Sequence, residues 1–399
     1  MNILRVISTM NPKAGGPCQG IRNSIPALKA LGVDNEVVCL DAPDAEYLGT
    51  DDFTIHTLGV AKGPWAYNKK MIPWLVKNIP NYDAIIIHGL WQFNSYAVFK
   101  AVKHLARKTQ SPVPYYVMPH GMLDPYFQKA PDRRLKAIRN RLFWSLIEGK
   151  VVNNANGVLF TCQEELLLAR ETFTPYNPKK ELNVGYGIQE PPRKTPEILN
   201  AFHAACPNIK DTPFLLFLSR IHPKKGVDIL VKAYNEWLES SEIKKPVKLV
   251  IAGPGLETDY GQELQRLVNS NAMLKDKVYF TGMLKGDAKW GAYYNSEAFV
   301  LNSHQENFGI SIVEALACGK PVLISNKVNI WREIAGEQAG FVEDDTLSGT
   351  VKLLTNWDKL STEQQKGMGI SARKTFETLY AMGPVAQRFK DTIINKNYL

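Results

Sequence analysis

The sequence lacks several features that would place it in a specialised class of protein. Its five cysteines are widely spaced and form no Cys-x-x-Cys pair, which argues against a disulfide framework and a zinc site and favours a reducing compartment. No window reaches about 18 uninterrupted apolar residues, and the opening MNILRVISTM has no long apolar run of the kind found in signal peptides. Internal repeats and recognised nucleic-acid-binding modules are missing too. We therefore expect a cytoplasmic protein that does not span a membrane and binds no nucleic acid.

Length and composition indicate a two-domain globular enzyme. The chain has 399 residues, of which 45% are hydrophobic and 22% charged, and this length exceeds what one hydrophobic core usually organises. The segment GYGIQEPPRKTPE, around 185–200, is rich in Gly and Pro and is predicted to be a hinge. We expect a first domain over 1–190, a second over 191–378, and a final helix, 379–399, that returns to the first domain.

Short apolar runs alternate with amphipathic ones in both halves of the chain. In the second half this pattern predicts strands at 213–219, 247–253, 277–282, 298–303 and 321–326, with helices at 226–238, 261–268, 287–295 and 310–318 between them. In the first half it predicts strands at 2–8, 36–41, 83–89, 114–120 and 157–162. Alternation of this kind predicts an α/β fold with a doubly wound parallel sheet in each domain.

The turns that follow the predicted strands of the second half carry the residues of chemical interest. Ligands of open α/β sheets bind beyond the carboxyl ends of the strands, where helix N-termini present free N–H groups. Arg220 and Lys225 lie in one such turn, glycines flank Pro254 in the next, and Glu306 lies in a later one. Two cations beside a helix N-terminus predict a diphosphate site. The alternative is a basic turn that is merely solvated.

Glu314 is a carboxylate inside the apolar run ISIVEALAC. Burial of a carboxylate is unfavourable unless hydrogen-bond donors satisfy it, and sugar hydroxyls would do so. A salt bridge to a neighbouring cation is the alternative.

The run from Arg220 to Lys225-Gly226, followed by Glu306 and Glu314 with seven residues between them, resembles the retaining nucleotide-sugar glycosyltransferases with the GT-B fold. The likeness is closest to the group-4 family (glycosyl transferases group 1), which builds lipopolysaccharide, exopolysaccharide and related glycans. It covers essentially the whole chain and is most specific over 213–342. The resemblance implies two Rossmann-like domains facing each other across a cleft, and a hexosyl transfer from a nucleoside-diphosphate sugar to a glycan or lipid-linked acceptor.

The resemblance also implies roles for particular residues. Glu306, His120, Arg220 and Lys225 would be catalytic, and Glu314 would hold the donor ribose. The other donor-binding residues would be Gly15, Gly16, Gly253, Gly255, Met283, Leu284, Asn307, Phe308, Gly309, Ile310 and Ser311. His88 and Trp91 would lie on the acceptor side. No Asp-x-Asp occurs in the chain, so we expect no metal and no cofactor, with the nucleoside-diphosphate sugar as co-substrate.

Two departures from the family pattern leave details open. The chain has Tyr186-Gly187-Ile188 where the family often has Asn-Gly-Ile, and Gly-Pro-Gly at 253–255 where it often has an acidic residue between the glycines. The nucleotide base therefore stays undetermined.

The segment 129–150 carries seven basic and two acidic residues, with Leu135, Ile138, Leu142 and Leu146 at helical spacing. Two interpretations remain open. The apolar stripe packs on its own domain, or the basic helix rests on an anionic membrane surface, which would make the protein peripheral on the inner face of the cytoplasmic membrane.

Other enzyme classes fit less well. A nicotinamide oxidoreductase would use the glycines of 15–20 with Asp41, but Pro17 occupies the place where close backbone approach matters. A glycosidase needs two carboxylates but no phosphate turn. The runner-up is a nucleotide-sugar epimerase or hydrolase on the same scaffold, which would react without an acceptor. A transferase for a small soluble acceptor also remains open.

Overall fold

The computed structural model describes residues 1–109, 112–130, 133–209, 212–240, 243 and 247–394. The chain forms two compact units. The first comprises Met1–Gly187 and the segment from Met382 onward, and the second comprises Ile188–Ala381. The last five residues of the predicted helix 379–399 lie outside the described residues.

The first unit is built on a parallel sheet with the strand order β3-β2-β1-β4-β5-β6-β7 over its described residues. The strands are β1 (Asn2–Val6), β2 (Asp34–Cys39), β3 (Ile55–Thr57), β4 (Ala84–His88), β5 (Tyr115–Met118), β6 (Gly157–Phe160) and β7 (Glu181–Asn183). The helices are α1 (Gly16–Ala30), α2 (Met71–Asn78), α3 (Phe93–Leu105), α4 (Tyr126–Lys129), α5 (Arg134–Phe143), α6 (Gly149–Asn154), α7 (Gln163–Ala169) and, at the end of the chain, α16 (Met382–Ile394).

The second unit has a parallel sheet with the order β10-β9-β8-β11-β12-β13 within its described part. Its strands are β8 (Phe214–Leu218), β9 (Lys248–Ala252), β10 (Val278–Gly282), β11 (Ala298–Leu301), β12 (Val322–Ser325) and β13 (Gly340–Glu343). Its helices are α8 (Pro196–Ala205), α9 (Val227–Glu239), α10 (Asp259–Ser270), α11 (Gly286–Asn295), α12 (Ile310–Ala317), α13 (Trp331–Gly336), α14 (Leu347–Lys359) and α15 (Thr362–Thr375).

Both faces of the first sheet are covered, which explains why its central strands are apolar along their whole length. Along β1, Leu4 belongs to one hydrophobic core and Ile3 to another on the opposite face. Residues of β4 alternate in the same way, with Ile85 in the first core and Ile86 in the second. Burial on both faces is typical of parallel sheets. The predicted doubly wound α/β fold is therefore confirmed.

The short strands β3, β7 and β13 were not predicted from the sequence. Each lies at the edge of its sheet and consists of residues that are partly or largely exposed. Because an edge strand gains less from apolar burial, it carries no continuous apolar run for periodicity to detect.

The basic segment 129–150 contains α5 followed by a π-helical turn over Trp144–Glu148, and its Pro131 and Asp132 lie outside the described residues. Of the two interpretations left open, the one in which the stripe packs on its own domain is wrong. The stripe residues expose 84, 56, 60 and 65% of their surface, for Leu135, Ile138, Leu142 and Leu146 respectively. The segment buries Ala137 of α5 and Trp144 of the π-helical turn instead. In the described part of the chain, no helix combines the length and apolar character needed to cross a bilayer.

The buried Glu148 holds the turn that follows β4. Its Oε1 accepts hydrogen bonds from the Trp91 backbone N–H at 3.0 Å and the Ser95 hydroxyl at 2.6 Å, and its Oε2 has no partner among the described residues. Burial raises the pKa of Glu148 to about 7, against the opposing effect of these two hydrogen bonds. Trp91 has a φ of 71°, which is unfavourable for a residue with a side chain. The carboxyl therefore fixes a strained turn.

The substitution Glu148→Gln should become more stabilising as the pH rises. Between pH 4.5 and 7, Glu148 is ionised in the unfolded chain but still protonated in the folded chain. The free energy of unfolding of the wild type therefore falls as the pH rises through this window. Glutamine keeps the accepting oxygen and cannot ionise. We expect the stabilisation, measured by urea unfolding, to be about 2 kcal/mol larger at pH 8 than at pH 5.

Glu36→Gln is the matched control for this experiment. Burial raises the pKa of Glu36, but hydrogen bonds from His56 and Tyr82 outweigh it and leave the pKa lowered. The ionised carboxylate therefore stabilises the fold, and this contribution is lost only as the pH falls through the lowered pKa. The effect of Glu36→Gln should thus change little between pH 5 and pH 8. An effect of Glu148→Gln that is equal at both pH values would contradict the assignment.

Candidate functional site

The strand order places a topological switch point between β8 and β11 in the second unit. The connections from these adjacent strands run in opposite directions along the sheet, to β9 and to β12. Such a switch point leaves a crevice at the carboxyl ends of the strands, where ligands of doubly wound sheets bind. The turn after β8 carries Arg220 and Lys225, and the turn after β11 carries Glu306. The predicted site residues of these two turns therefore flank the switch point.

The turns after β8 and β11 are in direct contact. The Lys224 carbonyl accepts hydrogen bonds from the His304 N–H at 2.9 Å and from the Ser303 hydroxyl at 3.0 Å. Gly226 has a φ of 64°, and a Cβ there would lie 2.1 Å from the Asn302 carbonyl oxygen. Only glycine allows the backbones to approach this closely.

The turn after β9 packs against the same surface. The Ile221 N–H donates to the Pro254 carbonyl at 2.8 Å, and a Cβ on Gly253 would lie 1.8 Å from the Ser219 carbonyl oxygen. The Gly253 N–H donates to the carbonyl of Gly282, at the end of β10, at 2.8 Å. Four consecutive turns thus form one hydrogen-bonded edge of the sheet.

Lys225 and Glu306 form an ion pair within this edge. The Lys225 Nζ donates to Glu306 Oε2, and the two side chains retain 9% and 22% of their exposure. The backbone of Glu306 is held on both sides, by the Lys327 carbonyl at 2.9 Å and the Asn329 N–H at 2.8 Å. Arg220, in the same turn as Lys225, is exposed.

The turn after β8 is electropositive. The pKa of His222 is lowered, first by its burial and then by the nearby cations of Arg220, Lys224 and Lys225. A turn of this charge suits an anionic ligand.

The segment 307–311 leads into the N-terminus of α12. Gly309 adopts a left-handed φ of 76° just before the helix begins at Ile310, which is 36% exposed. Phe308 is buried, and its ring meets Tyr380 edge to face with centroids 5.6 Å apart. Phe308 can therefore offer a ligand its backbone rather than its ring. Asn307 and Ser311 are partly exposed.

Met283 and Leu284, which the resemblance assigns to donor binding, differ in exposure. Met283 exposes 60% of its surface, whereas Leu284 is buried. Met283 is thus the side chain available to a ligand at this turn, and Leu284 supports the turn from below.

Both oxygens of Glu314 have partners in the protein. Oε1 accepts from Lys289 Nζ at 2.7 Å, and Oε2 accepts from the Tyr293 hydroxyl at 3.0 Å. The salt-bridge alternative considered for Glu314 is therefore present in the structure. Burial and the Glu314 carboxylate together raise the pKa of Tyr293 well above its ordinary value. Sequence reasoning missed Lys289 and Tyr293, although their spacing of four in the predicted helix 287–295 places them on one face.

In the first unit, Gly15 and Gly16 lie at the start of α1. Gly15 has a φ of 103°, a backbone conformation that favours glycine at this turn. Asp41 accepts hydrogen bonds from the Thr9 hydroxyl at 2.6 Å and the Met10 N–H at 2.7 Å. Asp41 is committed to holding the loop between β1 and α1, so it does not offer the free carboxylate that a nicotinamide ribose would need.

The structure brings His88 and His120 together at the carboxyl edge of the first sheet. His88 Nδ1 and His120 Nε2 are 2.9 Å apart. His120 has a φ of 51°, and the next residue, Gly121, donates its N–H to the buried Glu165 at 2.5 Å. Trp91 packs against Phe173 with ring centroids 5.5 Å apart.

Within the described ranges, no group of three or more His, Cys, Asp or Glu side chains is arranged to hold a metal ion. The charged side chains of this edge of the second unit include the ion pairs Lys225–Glu306 and Lys289–Glu314.

Two family models match the chain. The model described as glycosyl transferases group 1 matches residues 201–374, and the glycosyl transferase 4-like domain matches residues 15–179. Among curated proteins, an uncharacterized glycosyltransferase of Methanocaldococcus jannaschii is 31% identical over 152 residues, 37% of each chain. The serotype-specific mannosyltransferase WbdA of Escherichia coli is 30% identical over 132 residues, 33% of this chain and 16% of that protein. The matches thus cover 37% of the first relative's length and 16% of the second's.

A comparison of folds extends over the whole chain. The Anabaena protein HepE, solved in complex with UDP and glucose, superposes with a TM-score of 0.71 at 16% identity and covers 99% of this chain and 100% of its own. Likeness at this identity establishes the fold. Because the two family models together match most of the sequence and the fold agrees, the chain belongs to the group-1 glycosyl transferases with the GT-B fold.

Proposed function

We propose that the protein transfers a sugar from a nucleoside-diphosphate sugar to an acceptor. The observation that carries this proposal is the pairing of Lys225 with Glu306 across the switch point of the second sheet, beside exposed Arg220 and the N-terminus of α12. The HepE structure holds UDP and glucose, which supports the same class of donor here. We assign the diphosphate to Arg220, Lys225 and the amides of Gly309 to Ser311.

The proposed chemistry is electrostatic. When the sugar leaves, negative charge develops on the departing diphosphate, and fixed cations and helix amides stabilise that charge without reorganising. Arg220 and Lys225 supply the cations, so the step as proposed needs no metal.

The family resemblance supports retention of the anomeric configuration, with the acceptor hydroxyl attacking on the face that the diphosphate leaves. The bond from the sugar to the diphosphate breaks, and the departing diphosphate oxygen takes the acceptor's proton. Glu306 then orients the sugar rather than acting as a nucleophile. Glu314 reaches the ribose while Lys289 and Tyr293 hold its carboxylate in place. The resemblance assigns His120 to the transferred sugar as well.

A thermal-shift panel of nucleoside diphosphates and their sugars tests the donor class. A ligand that binds only the folded chain raises the melting temperature by mass action. We expect one nucleoside diphosphate to do so, and Arg220→Ala and Lys225→Ala each to weaken its binding about tenfold or more, because a charge-assisted hydrogen bond contributes ~1.5–3 kcal/mol.

Lys232→Ala is the control, since Lys232 lies on α9 with its exposed Nζ 3.7 Å from Asp228 and away from the turns. It should bind the nucleotide as the wild type does. Absence of stabilisation by every nucleotide, or unchanged affinity in Lys225→Ala, would rule out the assigned site.

We further propose that the acceptor is a glycan or lipid-linked glycan of the cell surface, met at an anionic membrane surface. One relative is named a serotype-specific mannosyltransferase, which supports a glycan acceptor. The exposed apolar stripe of α5 and the following turn supports the proposal that the protein binds a membrane surface. Exposed basic side chains flank it, at Arg134, Lys136, Arg139 and Arg141, and none of them pairs with a described carboxylate. Exposed leucines between arginines suit the boundary between lipid headgroups and acyl chains.

Vesicle flotation tests this surface. We expect the protein to bind vesicles that contain anionic phospholipid, and the double variant Leu135→Gln/Leu142→Gln to bind about tenfold or more weakly because it loses apolar burial in the interface. Ile370→Gln removes an aliphatic side chain that is 72% exposed on α15 and should bind as the wild type does. Equal binding by the double variant, or none by the wild type, would count against a membrane-bound acceptor.

A further inference from the structure

A buried arginine lies beside the histidine pair of the first unit. Arg5, on β1, is 2% exposed. Its Nε donates to Asn35 Oδ1 at 2.9 Å, and its guanidinium lies 4.6 Å from the centroid of the Phe389 ring. None of the carboxylates in the described ranges pairs with it, and Nη2 has no partner there. A buried cation without a carboxylate is unfavourable and calls for an explanation.

The remaining contact of Arg5 is with His88. Nη1 lies 3.4 Å from His88 Nε2, at the outer limit of a hydrogen bond. A guanidinium has donors only, so His88 Nε2 must be the acceptor and carry no proton. Burial, with His120 and Arg5 nearby, lowers the pKa of His88 well below its ordinary value, so the ring is neutral and its one proton lies on Nδ1.

The position of the proton on His88 determines the position of the proton on His120. The two rings are inclined by 22° with centroids 5.2 Å apart, a geometry that suits an edge-to-edge hydrogen bond between Nδ1 and Nε2 at 2.9 Å. Since His88 Nδ1 is the donor, His120 Nε2 is the acceptor. Burial, followed by the charge of Arg5, lowers the pKa of His120 to about 4, so this ring is neutral too and its proton lies on Nδ1.

We propose that Arg5 and His88 are positioning residues that fix His120 as its Nδ1–H tautomer, so that His120 offers the transferred sugar a hydrogen-bond donor. Nδ1 of His120 donates to no described residue, and His120 is a partly exposed residue. With the opposite polarity, His120 would offer the substrate a lone pair and could act as a base. The arginine decides between the two roles. What His120 touches rests on the proposed function, whereas its tautomer does not.

Long-range ¹H–¹⁵N correlation spectra of the imidazole nitrogens test the proposal on the full chain. His88→Gln and His120→Gln variants assign the signals. We expect both rings of the wild type to show the Nδ1–H tautomer, and Arg5→Met to convert both wholly or partly to Nε2–H. Arg5→Lys, whose ammonium also only donates, should restore Nδ1–H. With an acceptor, Arg5→Met should lower kcat about tenfold while leaving the donor KM nearly unchanged, since a donor at the reacting centre is lost.

Arg22→Met is the matched control. It removes the ion pair with Asp51 at 2.8 Å in the same unit, so it perturbs folding without touching the histidines, and the tautomers should not change. A wild-type His120 with the proton on Nε2 would overturn the proposal, even if Arg5→Met fails to fold. Unchanged tautomers in a folded Arg5→Met variant would overturn it as well. If no transfer activity were found, the spectra would still decide the tautomer.

Discussion

The ion pair between Lys225 and Glu306 is the interaction on which the second unit's site depends. It joins the turn after β8 to the turn after β11, the two strands at the switch point. Lys225 is nearly buried, and a buried ammonium requires a partner of opposite charge. Glu306 supplies that partner when no ligand is present. In the proposed reaction the donor diphosphate replaces Glu306 as the partner of Lys225, and Glu306 can then bind the sugar. The same pair would thus hold the two turns together and prepare the site for the donor.

The two units use the same construction with different chemistry. In each, chemically distinctive residues follow two adjacent strands of the sheet, and buried carboxyls or close glycine contacts fix the turns. In the second unit Gly226 and Gly253 allow backbones to touch. In the first, Glu148 and Glu165 hold the strained turns at Trp91 and His120. Rigid turns suit a reaction that depends on fixed charges rather than on a moving nucleophile.

Much of the fold followed from the sequence because apolar runs mark buried parallel strands and their turns mark the ligand edge. That rule alone was enough to predict where Arg220, Lys225 and Glu306 lie. The partners of Glu314 and the link from Arg5 to His120 were not predicted, because they depend on which side chains of different elements meet in the folded chain. The stripe of Leu135 and Leu142 was ambiguous for another reason. The same helical spacing predicts packing on the domain or on a membrane, and only the exposure of the folded helix separates them.

Hydrogen–deuterium exchange with and without the stabilising nucleoside diphosphate tests the central claim most directly. Amides that bind phosphate oxygens or become covered by ligand exchange more slowly. The account predicts slower exchange concentrated in 219–226 and 306–311, with little change at the opposite edge of the second sheet, near the start of β12. Protection that falls outside the four turns after β8, β9, β10 and β11, or none despite saturating nucleotide, would contradict the assignment of these turns as the donor site.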